Sequence, residues 1–154
     1  MHPCCTKLAN AELKAAEKDE TKELLESALE HQVEARQIFQ TINYTHGLHK
    51  TSLGLGKIAM HSGEWLNASE LFRQSLNYAT EEKNIRGEYI ASLFLAKASL
   101  KTNDLATCRA ALLRYDVGFL AGEITKHDIK ILEQDFLETR TAFWQALNKQ
   151  NHKE

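Results

Sequence analysis

A single proline (Pro3), seven glycines and three cysteines are all that this 154-residue chain contains of those types. So little proline and glycine argues against a turn-rich all-β chain and suits long helices, which tolerate few of either. The cysteines are odd in number, and Cys4 and Cys5 are adjacent, unlike a secreted disulfide framework. Charge of one sign is also lacking: 19 Lys and Arg stand against 21 Asp and Glu, a formal net charge of -2. Nothing in that balance draws the chain toward nucleic acid or an anionic membrane. No apolar run is long enough to span a bilayer. The start, Met1 to Lys7, has no apolar core followed by a small-residue cleavage site, so no signal peptide is expected. The expectation is a cytoplasmic protein with no nucleic-acid and no membrane partner.

Catalytic signatures are missing as well. No glycine-rich phosphate loop follows a strand, no Cys-x-x-Cys pair occurs, and no His-Glu-x-x-His helix occurs, which argues against nucleotide binding, structural zinc and metalloprotease chemistry. His46 and His49 are three apart and His61 ends the same helix, but spacing places no third ligand, so they read as surface histidines near helix ends. His2, Cys4 and Cys5 form a second small group that suits a soft metal or oxidation, again without a further ligand. Cys108 falls on a small, buried position. With no acid–base or nucleophile set visible, the chain is expected to be no enzyme, with no cofactor, no metal and no catalytic residue.

What is present is helical periodicity. The chain is 43% hydrophobic and 26% charged, ordinary for a globular domain, and its length fits one domain with a real core. Residues 1–7 read as a flexible tail and 8–150 as a single helical domain. Ala9 to Ala16 is a short helix former, and the charged cluster from Glu17 to Lys22 suggests a break near Asp19. From Glu20 to Ile42, Leu24, Ala28, Ala35, Ile38 and Ile42 form one apolar stripe, with Leu25, Leu29 and Phe39 beside it. Asn43 to Gly47 ends that helix, with Gly47 supplying the left-handed turn. Helices are expected from about Leu48 to His61, from Trp65 to Ala79 and from Tyr89 to Lys101, separated by Ser62-Gly63-Glu64 and by a polar turn from Glu81 to Gly87. Gly54 and Gly56 fall inside the first of these, where close helix approach is the simplest reason for them. After Thr102, Asn103 or Asp104 caps a helix carrying Leu105, Cys108, Ala111, Leu112 and Tyr115. That helix either continues to Phe119 or breaks near Asp116 to Gly118, and Gly122 ends the unit. Thr125 and Asp128 look like a capping box for a last helix running to about Asn148, with Ile129, Leu132, Phe136, Phe143 and Leu147 as its stripe.

The chain matches itself at a shift of 40 residues. Gly47 falls on Gly87, Ser52 on Ser92, Leu53 on Leu93, Leu55 on Leu95 and Lys57 on Lys97. Gly56 meets Ala96, Gly63 meets Asn103, Ala68 meets Cys108 and Phe72 meets Leu112. Such a period means stacked supersecondary units. Leu55-Gly56 mid-way in a first helix, Gly63 at the turn, Ala68 early in the second helix and Phe72 one turn later resemble the tetratricopeptide repeat, in its longer variety found in bacterial regulators and signalling proteins. The best units are 47–82 and 87–122. Ser52 and Ser92 stand where that family usually has Trp, and the proline that usually ends a repeat is absent. The resemblance implies an all-α fold: about six or seven antiparallel helices in hairpins, stacked as a short right-handed solenoid.

In that family the inner face of each first helix lines a groove. Carried over, those positions are Lys50, Leu53, Lys57, Met60 and His61 in one unit and Ile90, Leu93, Lys97 and Lys101 in the next. Lys57 and Lys97, equivalent by the repeat, should stand side by side. An apolar floor with ammonium groups suits a protein or peptide segment bearing Asp, Glu or a C-terminal carboxylate. The first reading is therefore a non-catalytic interaction module or scaffold. A second is a self-associating, dimeric regulatory domain of a bacterial transcription or signalling system, paired through Phe143 and Trp144 of the last helix.

Overall fold

The computed structural model describes residues 7–13, 22–120 and 126–152. They form helices throughout, joined by short turns. Helix α1 covers 7–13, followed by α2 (Lys22–Thr41), α3 (Thr45–His61), α4 (Trp65–Glu81), α5 (Ile85–Lys101), α6 (Leu105–Leu120) and α7 (Lys126–His152). The fold is all-α, with consecutive helices packed side by side: α3 lies against α2 and α4, α5 against α4 and α6, and α7 against α5 and α6.

One turn recurs four times. Asn43, Gly63, Lys83 and Asn103 take positive φ of 53°, 79°, 56° and 59°. At each, the next amide reaches back five residues to a carbonyl: Tyr44 to Phe39, Glu64 to Ala59, Asn84 to Ala79 and Asp104 to Ser99. These crossed bonds satisfy the last carbonyls of the helix and reverse the chain in three residues. The next helix then starts at once. Asn84 Oδ1 accepts from the Gly87 amide at 2.9 Å, and Asp104 Oδ1 accepts from the Thr107 amide at 3.2 Å. Asp104 is thus the cap and Asn103 the left-handed residue.

Two expected boundaries move as a result. Asn43, not Gly47, makes the turn after α2. Gly47 lies inside α3, where a Cβ would sit 2.5 Å from the buried Phe39 ring, so that close packing calls for glycine. Likewise the turn after α4 is shorter than Glu81 to Gly87, and α5 begins at Ile85. Helix α6 continues through Asp116 to Leu120, and α7 runs past Asn148 to His152. The Asp19 break, Gly122 and the Thr125 cap lie outside the described residues.

The buried stripe of α2 is Ala28, Gln32, Ala35 and Phe39, while Ile42 is 52% exposed in the turn. A polar Gln32 in mid-stripe is what shifted the expected face. The largest core cluster joins Phe72, Leu93, Ala96, Cys108, Leu112 and Tyr115 to Phe136 and Phe143 of α7. Gly56 lets the Phe72 ring lie directly on the α3 backbone, as close approach requires. Burial raises the Cys108 thiol to about 11, so it stays protonated and inert.

The two rows of helices pack unequally. Along the odd row, α3 touches α5 and α5 touches α7. Among the described residues no backbone contact joins α2 to α4 or α4 to α6. Side chains span those gaps, as in the 3.1 Å hydrogen bond from Arg36 to Gln74. The odd-numbered helices therefore form the tighter, inner side of the stack.

Candidate functional site

A cavity of about 550 Å³ opens on that inner side, across α1, α3 and α5. Asn10 and Leu13 come from α1; His46, His49, Lys50, Leu53, Gly54 and Lys57 from α3; Asn84, Arg86, Gly87 and Ile90 from α5. The α3 set recurs every three or four residues, which puts it on one helical face. Helix α1 is held over this end by polar bonds. The Glu12 carboxylate takes the Ser27 hydroxyl at 3.0 Å and lies 2.7 Å from His31 Nδ1. Gln32 Nε2 donates to Asn10 Oδ1 at 3.2 Å.

Four of the nine residues singled out from sequence line this cavity together: Lys50, Leu53, Lys57 and Ile90. Three cations, Lys50, Lys57 and Arg86, share it with Leu53 and Ile90, and no Asp or Glu is among its described lining residues. Further along the same face, Lys57 Nζ lies 4.8 Å and Lys97 Nζ 5.2 Å from the centroid of the Phe94 ring. The two repeat-equivalent lysines thus converge on one aromatic ring, whose negative quadrupole attracts both. Lys97 also reaches Asp135 of α7 at 3.4 Å.

The other positions differ. Leu93 is 1% exposed and belongs to the core cluster that includes Phe136 and Phe143, so its side chain is withdrawn from the groove. Met60 is half-buried against the same cluster, and His61 is exposed at the end of α3. Lys101 lies over the Trp65 ring, 5.6 Å from its centroid.

His49 was not legible as a site residue, and it is not at the surface: it is 4% exposed. Its Nδ1 faces the Ser75 carbonyl oxygen at 3.1 Å and the Ser75 hydroxyl at 2.9 Å, and that hydroxyl donates to the His49 carbonyl oxygen at 3.0 Å. A carbonyl only accepts, so the network assigns the hydrogen to Nδ1. Burial holds the imidazole below its ordinary value of 6.5, which keeps it neutral at pH 7. Nε2 is then a bare acceptor. It faces the backbone of Gly87, where a Cβ would stand 2.7 Å from it. One sequence signal pointed here. The shift by 40 pairs His49 with Tyr89, another buried ring, at 7% exposure. Asn84 and Arg86 were missed because they read as turn residues.

His46 pairs with Glu82 at 3.1 Å. Among the described residues no group of three or more His, Cys, Asp or Glu is placed to hold a metal ion, and no helix is long and apolar enough to cross a membrane. Compared with family models, curated proteins and solved structures, the chain matches none of them.

Proposed function

We propose that the chain is a non-catalytic interaction module, a short tetratricopeptide-like stack that holds an acidic segment of another protein on its odd-helix face. One observation carries the reading: a single cavity gathers Lys50, Lys57 and Arg86 from two helices over Leu53 and Ile90. Cations on an apolar floor recognise a segment with alternating acidic and apolar side chains. The charges supply orientation and encounter rate, and the buried apolar area supplies much of the affinity. His49 Nε2 adds an acceptor for a backbone or side-chain N–H of that segment. The Gly56–Phe72 contact and the repeated turns support the likeness to the tetratricopeptide family. A scaffold or a regulator of a bacterial system would use such a face in the same way.

The test is a pull-down from the native host, with the recovered partner measured against wild type and Lys57→Glu/Lys97→Glu. The double variant is expected to lose most of the binding, and binding to wild type is expected to weaken as salt rises. Unchanged affinity and a flat salt response would rule out the groove.

A further inference from the structure

The end of the stack carries a second surface, which shares no lining residue with the groove. A trough of about 580 Å³ runs between residues 105–116 of α6 and residues 140–147 of α7. Its walls include Leu113, Phe143, Trp144 and Leu147. Phe143 is buried, but Leu113 is 60% and Trp144 53% exposed. Among the described residues α5 and α6 are the helices in backbone contact with α7.

The charges on this surface are informative. Arg109 and Asp116 of α6 and Arg140 of α7 line the trough. The neighbouring Arg114 is paired with Glu88. Arg109, Asp116 and Arg140 make no ion pair with any described residue. Two unpaired cations and one unpaired anion therefore flank an exposed apolar centre. A two-fold interface sets a patch against its own copy, so a charged patch is self-complementary when it carries both signs around an apolar middle.

From this we infer that the α6–α7 face pairs two copies of this chain about a two-fold axis. Trp144 of each copy enters the trough of the other, and Asp116 of each meets an arginine across the interface. The inner groove stays open in the pair, so this inference stands independently of the peptide-binding reading.

Sedimentation velocity on the full chain, from low micromolar to millimolar, tests it. Wild type is expected to show a reversible monomer–dimer equilibrium. Trp144→Glu is expected to raise the dissociation constant at least about tenfold, with an unchanged circular dichroism spectrum. Asp116→Arg makes the patch wholly positive and is expected to weaken the dimer. Adding Arg109→Asp and Arg140→Asp to it inverts every charge and is expected to restore the dimer, without mixing with wild type. Only monomer at millimolar concentration would overturn the inference. So would a Trp144→Glu dimer as tight as wild type, or a failure of the inverted triple variant to pair. Binding of another protein's helix to a monomeric chain would overturn it too. Should Trp144→Glu fail to fold, the surface charge set decides alone.

Discussion

Lys57 and Lys97 share one ring. Their ammonium nitrogens lie 4.8 and 5.2 Å from the Phe94 centroid, so they can be no further apart than those two distances together. Each lysine over an aromatic face at a half-open site contributes about 0.5–1 kcal/mol. Lys57→Met should therefore cost that much less in Phe94→Leu than in wild type. Denaturant unfolding of the two singles and the double reads the coupling. Additive losses would mean the ring does not hold the lysine.

Gly56 and Phe72 form a pair that the chain itself has re-solved 40 residues later as Ala96 and Leu112. A Cβ on Gly56 would lie 2.5 Å from the Phe72 ring, which is fully buried. Gly56→Ala is expected to cost about 1–3 kcal/mol by overpacking. Combined with Phe72→Leu, it should cost less than the two singles together by about 1 kcal/mol or more. Thermal or denaturant unfolding of the four proteins measures this, and strict additivity would contradict the packing.

Much of the fold was legible because apolar spacing and turn chemistry point the same way. Leu71, Phe72 and Ala79 recur on one face of α4, and Gly63 marks its turn. Reading failed where a residue's role is set by a distant partner. Gly47 looks like a helix stop, and only the Phe39 ring explains it as a packing glycine. Gln32 and His49 are polar residues at core positions. Gln32 is held through Asn10 and His49 through Ser75, and periodicity cannot see such partners. Of the groove, the α3 face was readable from repeat positions. Leu93 was not, because the packing of α7 on α5 closes over it.

Lys83 holds φ 56° at the place where Gly63 sits in the preceding turn. A residue with a Cβ is strained there and glycine is not. Lys83→Gly should raise stability by roughly 0.5 kcal/mol, the relief of strain less the entropy glycine adds to the unfolded chain. The converse, Gly63→Lys, should lower it. A loss of stability in Lys83→Gly would mean the lysine side chain supplies more than its backbone costs.

His49 should make stability fall in mild acid. Its pKa in the fold lies below the ordinary 6.5, chiefly because burial disfavours the charged ring. As pH drops through about 6.5 the unfolded chain binds the proton first, so unfolding becomes easier, by up to about 1.4 kcal/mol per pH unit, until the folded pKa is passed. Above that window both states are neutral and the effect vanishes. Glu82 opposes the shift, while His46 and Lys50 reinforce it. Unfolding of wild type and His49→Gln between pH 7.5 and 5.5 isolates the contribution, roughly one pH unit either side of the ordinary value. Identical pH slopes in the two proteins would refute the buried, neutral ring.

The most direct test of the inner groove is calorimetric titration of the recovered partner segment against three proteins: wild type, Lys50→Glu/Lys57→Glu, and Arg73→Glu. Arg73 is an exposed cation on α4, on the even row. The groove variant is expected to bind at least about tenfold more weakly, a loss of about 1.4 kcal/mol, and Arg73→Glu to bind like wild type. Equal weakening in both variants would reduce the effect to net charge, and full affinity in the groove variant would place the partner elsewhere.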